Sequence, residues 1–168
     1  MIEGWGIAVD AVVADFIAGA AERLTLEGAD GADVVLVEGQ GSINHPGYSG
    51  VTLGLLHGCC PSALILCHQA TRTHIGDYRE NAWLKIPPLG DYIRLYEMLG
   101  NAIHPTRVIA ISLNTYDLTD AEARAACGAA AAETGLPCTD PVRFGPTVLT
   151  QAVEEARAHW QSRLNARD

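Results

Sequence analysis

Three short, unbroken apolar runs constrain this chain most. They are residues 34–37 (Val-Val-Leu-Val), 63–67 (Ala-Leu-Ile-Leu-Cys) and 107–113 (Arg-Val-Ile-Ala-Ile-Ser-Leu). Each is too short for a helix and lacks the alternation of a half-exposed strand, so each reads as a strand covered on both faces. Helical periodicity surrounds them. Over 9–27, Val9, Val12, Val13, Phe16, Ala20 and Leu24 recur at three- and four-residue steps, with Gly28 as a stop. Leu89, Tyr92, Ile93, Tyr96 and Leu99 form a second stripe. Thr119-Asp120-Ala121-Glu122 has the form of a capping box, and the alanine-rich helix that follows runs to Gly135. Residues 136–139 suit a short fourth strand. A last helix beginning near Pro146 would bury Leu149, Val153, Ala156, Trp160 and Leu164. Alternation of buried strands with helices predicts an α/β fold, a parallel sheet with helices on both faces. The whole of 1–168 reads as a single α/β domain.

Charge and composition exclude several functions. Twenty acidic residues against 11 basic ones give a net charge of −9, the reverse of a nucleic-acid scaffold. No apolar stretch approaches the ~20 residues of a membrane helix, and residues 1–6 lack the basic start and apolar stretch expected of a secretion signal. Cys59, Cys60, Cys67, Cys127 and Cys138 match neither a disulfide framework nor a metal knuckle, which suits small thiols in a reducing cytoplasm. A cytoplasmic protein without nucleic-acid or membrane partners is expected. Lys85 is the only lysine and no glycine precedes it, so the sequence contains no Gly-Lys-Ser/Thr phosphate loop.

In a parallel sheet, ligands gather beyond the carboxyl ends of the strands. The three runs end in Glu38-Gly39-Gln40-Gly41-Ser42, in His68-Gln69-Ala70-Thr71-Arg72 and in Asn114-Thr115-Tyr116-Asp117, and one common rim is expected. Glu38 can accept a proton or hold Mg²⁺ through water, and the glycines let backbone N–H groups approach an anion. A tight turn bearing a solvated acid is the plain alternative. Asp10 is either a helix cap or a metal or nucleotide ligand. His45 is a candidate general acid or base near neutral pH, or a structural loop histidine. His68 and Arg72 follow a strand directly. Arg72 suits a two-point grip on a carboxylate or phosphate, and His74, Asp77 and Arg79 add polar groups or simply a salt-bridged loop. The Asn114 amide either reads a planar group or makes an Asx-turn toward Thr119. Residues 140–145 are either a pocket wall or a rigid turn before the last helix.

Several of these segments together carry a family resemblance. Residues 4–12 (Gly-Trp-Gly-Ile-Ala-Val-Asp-Ala-Val), 37–42 (Val-Glu-Gly-Gln-Gly-Ser) with His45-Pro46, 113–115 (Leu-Asn-Thr) and 139–145 (Thr-Asp-Pro-Val-Arg-Phe-Gly) occur in order. The sequence resembles the carboxyl-terminal domain of the D-glutamate N-acetyltransferase-like proteins. The resemblance implies a P-loop NTPase-like fold similar to dethiobiotin synthetase. It also implies a transferase activity in D-amino acid metabolism: acetyl transfer from acetyl-CoA to the amino group of D-glutamate. It places Glu38 and Asp10 near Mg²⁺, the backbone of Gly39, Gln40, Gly41 and Ser42 near an anion, and Asn114 and Pro141 beside a nucleotide base, with ATP as a further ligand. Glu38, His45 and His68 are the resulting candidates for the catalytic base, and Arg72 for holding the substrate carboxylate.

Against that family the chain reads as a partial carboxyl-terminal domain, truncated before the phosphate loop. Weak binding of ATP or acetyl-CoA, or none, and a homo-oligomer are therefore expected. The competing functions are an ATP-dependent ligase or kinase-like enzyme and a non-catalytic nucleotide-sensing or assembly module.

Overall fold

The computed structural model describes residues 6–75 and 83–165, apart from the side chains of Asp10, Leu164 and Asn165. Asp77 and Arg79 lie outside the described residues. The chain divides into two compact units. One comprises Met1–Pro61 with Leu99–Pro105, and the other Ser62–Met98 with Thr106–Asp168.

In the first unit, two 3₁₀ turns, Val9–Ala11 and Ala14–Phe16, lead into helix α1 (Ile17–Ala29). Helix α2 (Ser49–Cys59) packs against it. Glycine permits the approach: a Cβ built on Gly54 would lie 2.6 Å from Ile17 Cγ2, and one on Gly58 only 2.2 Å from the Ala18 carbonyl oxygen. Ile17, Ala21, Thr52 and Leu56 are buried. The helical face therefore differs from the periodic stripe, because Val13 and Phe16 are exposed. A 3₁₀ helix turns faster per residue than an α-helix, so the phase set at Val9 does not carry through to α1. Helix α2 ends at Cys60 in the left-handed region (φ 43°). Its His57 Nε2 lies 3.1 Å from the Leu99 carbonyl oxygen.

Residues 34–37 form no strand. The Leu36 side chain is 80% exposed, and Val34 and Val37 are also exposed. A strand exists only through a ladder to a neighbouring backbone, and no described segment of this unit provides one.

All the sheet lies in the second unit. Strands β1 (Leu64–Gln69), β2 (Val108–Asn114) and β3 (Cys138–Thr139) are parallel, in the order β1-β2-β3. An irregularity between Leu64 and Ile65 sets the register. Beyond it, Ile65 lies opposite Ala110 and Gln69 opposite Asn114. Strand β1 thus continues two residues past its apolar run and takes in His68 and Gln69. Central β2 is the most buried strand, as its run of Val108, Ile109, Ala110 and Ile111 predicts.

Helices complete this unit. Helix α3 (Leu89–Asn101) ends in the other unit, but its Glu97 Oε1 accepts from Val108 N–H at 2.8 Å within this one. Helix α4 (Asp120–Thr134) carries the expected capping box at Thr119 and Glu122, and it stops at Gly135 (φ 71°). One turn, α5 (Pro141–Phe144), precedes α6 (Thr147–Asn165). Ala152 and Ala156 of α6 pack on Ile109 and Ala110, with Leu149 and Val153 at the margin. Trp160 Nε1–H donates to the Ser62 carbonyl at 3.1 Å. Small alanine side chains let α6 lie close to the sheet, and α4 packs on β2 and β3 through buried Ala123, Cys127 and Ala130.

Candidate functional site

The second unit brings two strand tips side by side. His68 and Gln69 close β1, Asn114 closes β2, and parallel pairing holds them level: His68 faces Leu113 in the register and Gln69 faces Asn114. The Asn114 carbonyl accepts from Ala70 N–H at 3.0 Å, which carries the pairing past the strand end. Just beyond, the Thr71 hydroxyl donates to Asp117 Oδ2 at 2.5 Å, tying the two loops together.

His68 is half-buried. Burial lowers its pKa below the usual imidazole value. The Arg72 guanidinium lowers it further, and Glu133 partly offsets both. At neutral pH the ring is therefore an uncharged imidazole, able to accept a proton. Asn114 is exposed, and its Oδ1 accepts from Tyr116 N–H at 3.0 Å. This is the Asx-turn geometry. It engages the amide oxygen within the loop.

Asp140 organises the same rim from beneath. Its side chain is 4% exposed, and Thr115 is fully buried. Asp140 Oδ2 accepts from Thr115 N–H at 2.9 Å and from the Thr115 hydroxyl at 2.5 Å. Its Oδ1 accepts from the N–H groups of Val142 and Arg143, each at 3.0 Å, and so caps α5. Burial alone would raise the carboxyl pKa, but the hydrogen bonds from Thr115, Arg143 and Val142 outweigh it and lower the pKa. The Arg143 guanidinium donates to the carbonyls of Thr115 (3.0 Å) and Leu118 (2.9 Å) and to Asp120 Oδ1 (2.5 Å). Loop 115–119 is thus clamped at both ends. Pro141, at the first position of α5, is half-buried and pre-sets that turn. Residues 140–145 thus form a capped helical turn ahead of α6. The clamp itself was not anticipated from sequence, although Asp followed by Pro at a helix start signals the cap half of it.

The first unit holds the glycine-rich segment. Glu38 and Gly39 are exposed. Gly41 adopts φ 64°, and a Cβ there would lie 2.5 Å from Tyr48 Cβ, so glycine is required. The Thr52 hydroxyl lies 3.0 Å from the Gln40 carbonyl and 3.1 Å from that of Tyr48, which fastens the segment to α2. Ser42 Oγ donates to Asn44 Oδ1 at 2.7 Å. His45 accepts at Nδ1 from Gly47 N–H at 3.0 Å, and its ring packs 4.5 Å from that of Tyr48. Its carbonyl receives Tyr48 N–H and Ser49 N–H at the start of α2.

Among the described residues, no group of three His, Cys, Asp or Glu side chains is placed to hold an ion. Glu38 is exposed, and the Asp10 side chain is outside the described residues. All five cysteines are free.

A parallel sheet with polar groups at its strand ends, flanked by helices, defines an α/β domain. The chain belongs to the DUF1611 family: the model described as "Domain of unknown function (DUF1611_C) P-loop domain" matches residues 1–150. It is similar to a D-glutamate N-acetyltransferase of Pseudoalteromonas sp., at 38% identity over 146 residues, covering 86% of this chain and 43% of that protein. A second D-glutamate N-acetyltransferase, from Tritonibacter scottomollicae, is 40% identical over 153 residues, 91% of this chain and 45% of the relative. The chain spans less than half the length of the curated relatives it matches. The crystal structure of a DUF1611 family protein from Anabaena variabilis superposes with a TM-score of 0.84 at 46% identity, over 92% of this chain and 45% of that one. Among the described residues, no helix is long and apolar enough to cross a membrane.

Proposed function

We propose that this chain supplies part of an N-acetyltransferase that moves the acetyl group of acetyl-CoA to the amino group of D-glutamate. The supporting observation is the 38–40% identity, over nearly the whole chain, to two proteins bearing that name. The chemistry needs a neutral amine, a base for its proton, and donors for the carbonyl oxygen as it becomes negative. His68 meets the requirement for a base best, because burial and Arg72 keep it uncharged at neutral pH. Arg72 is assigned to the substrate carboxylate, by charge and by its place on the loop after β1. In the first unit, taken by itself, the backbone of Gly39, Gln40, Gly41 and Ser42 is assigned to an anionic group. The exposed Asn114 amide is assigned to acceptor oxygens of a substrate.

Acetyl-CoA, as the acyl donor, fits a set of groups so rich in donors. Among the described residues no group of three His, Cys, Asp or Glu side chains is gathered, and the sequence carries no Gly-Lys-Ser/Thr loop, so no step is routed through Mg²⁺ or ATP. The direct test is incubation of the chain with acetyl-CoA and D-glutamate, followed by mass spectrometry. N-acetyl-D-glutamate formed in preference to the L-isomer, and reduced by His68→Gln, is the expected result. Product formation unaffected by His68→Gln would remove His68 from the role of base.

A further inference from the structure

Two thiols of the second unit meet where acyl transfer makes no use of them. Helix α4 stops at Gly135, whose left-handed backbone (φ 71°) turns the chain back on itself. From Cys127 to Thr134 the helix rises ~10 Å. Residues 135–138 can retrace that length, since an extended chain reaches ~3.3–3.6 Å per residue. Cys138 thus returns beside Cys127: α4 packs on β3, and the two thiols hydrogen-bond. Both are free, Cys127 buried and Cys138 half-buried. The backbone fixes this end of the contact, because Cys138 pairs with fully buried Ile111 and the Pro137 carbonyl accepts from Ile111 N–H at 2.9 Å. Asp140, the centre of the clamp on Thr115, lies two residues further on. Cys67, the third cysteine of this unit, has Ser112 as its side-chain partner instead.

We propose that Cys127 and Cys138 form a reversible oxidation site, at which a hydroperoxide joins them in a disulfide that braces β3 against α4. The chemistry balances with hydrogen peroxide as the oxidant. One sulfur attacks a peroxide oxygen, the O–O bond breaks, and a sulfenic acid and water result. The second sulfur attacks the sulfenic sulfur, the S–O bond breaks as the S–S bond forms, and the hydroxyl leaves as water with the second thiol's proton. The sulfurs give up two electrons, and the peroxide is reduced to water. A dithiol reverses the bridge by exchange. Neither sulfur takes part in the acyl transfer proposed above, so failure of that reading leaves this site standing.

The test is peptide mapping of the whole chain. It is incubated with hydrogen peroxide without denaturant, alkylated, and cleaved after glutamate. Cleavage at Glu133 separates the two cysteines, so residues 123–133 and 134–154 stay joined only through a disulfide. The expected result is that joined pair, about 2 Da lighter than its two parts for the hydrogens lost, and released by dithiothreitol. No joined pair overturns the proposal, and so does one formed only in urea. Sulfinic acid at either position in place of the bridge also overturns it. Cys127→Ser and Cys138→Ser should each abolish the joined pair, while Cys67→Ser should keep it; its loss in Cys67→Ser would assign the bridge elsewhere. Bracing is read from Tm, which should rise by several degrees on oxidation and return with dithiothreitol. An unchanged or lowered Tm in the bridged chain contradicts the bracing of β3.

Discussion

Removing the Asp140 carboxylate should unfasten the rim before it alters any chemistry. Asp140→Ala takes the partner from the Thr115 N–H and hydroxyl in a fully buried position, and it strips the cap from Val142 and Arg143. An orphaned buried polar group costs ~1–3 kcal/mol, and a lost cap about 1 kcal/mol. A combined loss of about 3 kcal/mol follows from those two terms. At ~2–4 °C per kcal/mol for a domain of this size, Tm should fall by about 6–12 °C. Urea and thermal denaturation, followed by circular dichroism, measure both. Thr115→Val should cost less, and the double variant should be less destabilised than the sum of the singles, because both report on one contact. The pH dependence has a definite sign. The folded pKa of Asp140 is lowered, so its contribution is complete above the unfolded value of ~3.9 and is lost as pH falls through that value toward the folded one. Asp140→Asn should flatten that acid limb. A change below 1 kcal/mol for Asp140→Ala, or an unaltered acid limb in Asp140→Asn, would refute the clamp.

Other expectations are as specific. Gly58→Ala should cost ~1–3 kcal/mol, since its Cβ would meet the Ala18 carbonyl oxygen at 2.2 Å, whereas Gly128→Ala in α4 has nothing within 4 Å and should gain ~0.5–1 kcal/mol; chemical denaturation compares them. His68 should titrate below ~6.5 by NMR. Because its folded pKa is lowered, its neutral form favours the folded state above that value, and the contribution is lost as pH falls below it; His68→Gln should remove this dependence. Burial, with Cys127 beside it, pushes the Cys138 thiol up to about 12. Iodoacetamide at mildly alkaline pH should therefore alkylate it much more slowly in the native chain than in denaturant, as mass spectrometry of peptides would show. Comparable labelling in both states would contradict that environment.

The legible parts of this protein are those decided by neighbours in sequence. The capping box at Thr119 and Glu122, the stop at Gly135 and the apolar runs of β1 and β2 follow from contacts a few residues long, and all are present. The family, too, was legible, because its motifs keep their order along the chain. The same reasoning misplaced the buried face of α1. Two 3₁₀ turns, which no residue announces, shift the phase before the helix starts. It also placed a strand at 34–37, where composition favours one and no described backbone pairs with it.

Side-chain roles divide along the same line. Residue identity by itself determined that Glu38, His45, His68, Arg72 and Asn114 carry usable chemistry, since acids, imidazoles and amides keep their donors and acceptors in any setting. Only the tertiary structure decided which of their atoms are spent. Tyr116 N–H occupies the Asn114 oxygen, Gly47 N–H occupies His45 Nδ1, and burial with Arg72 keeps His68 uncharged. Asp140 reaches Thr115 across 25 residues of sequence, to an atom that no local pattern identifies. A hydrogen bond depends on where two atoms meet in space, and chain folding fixes that meeting.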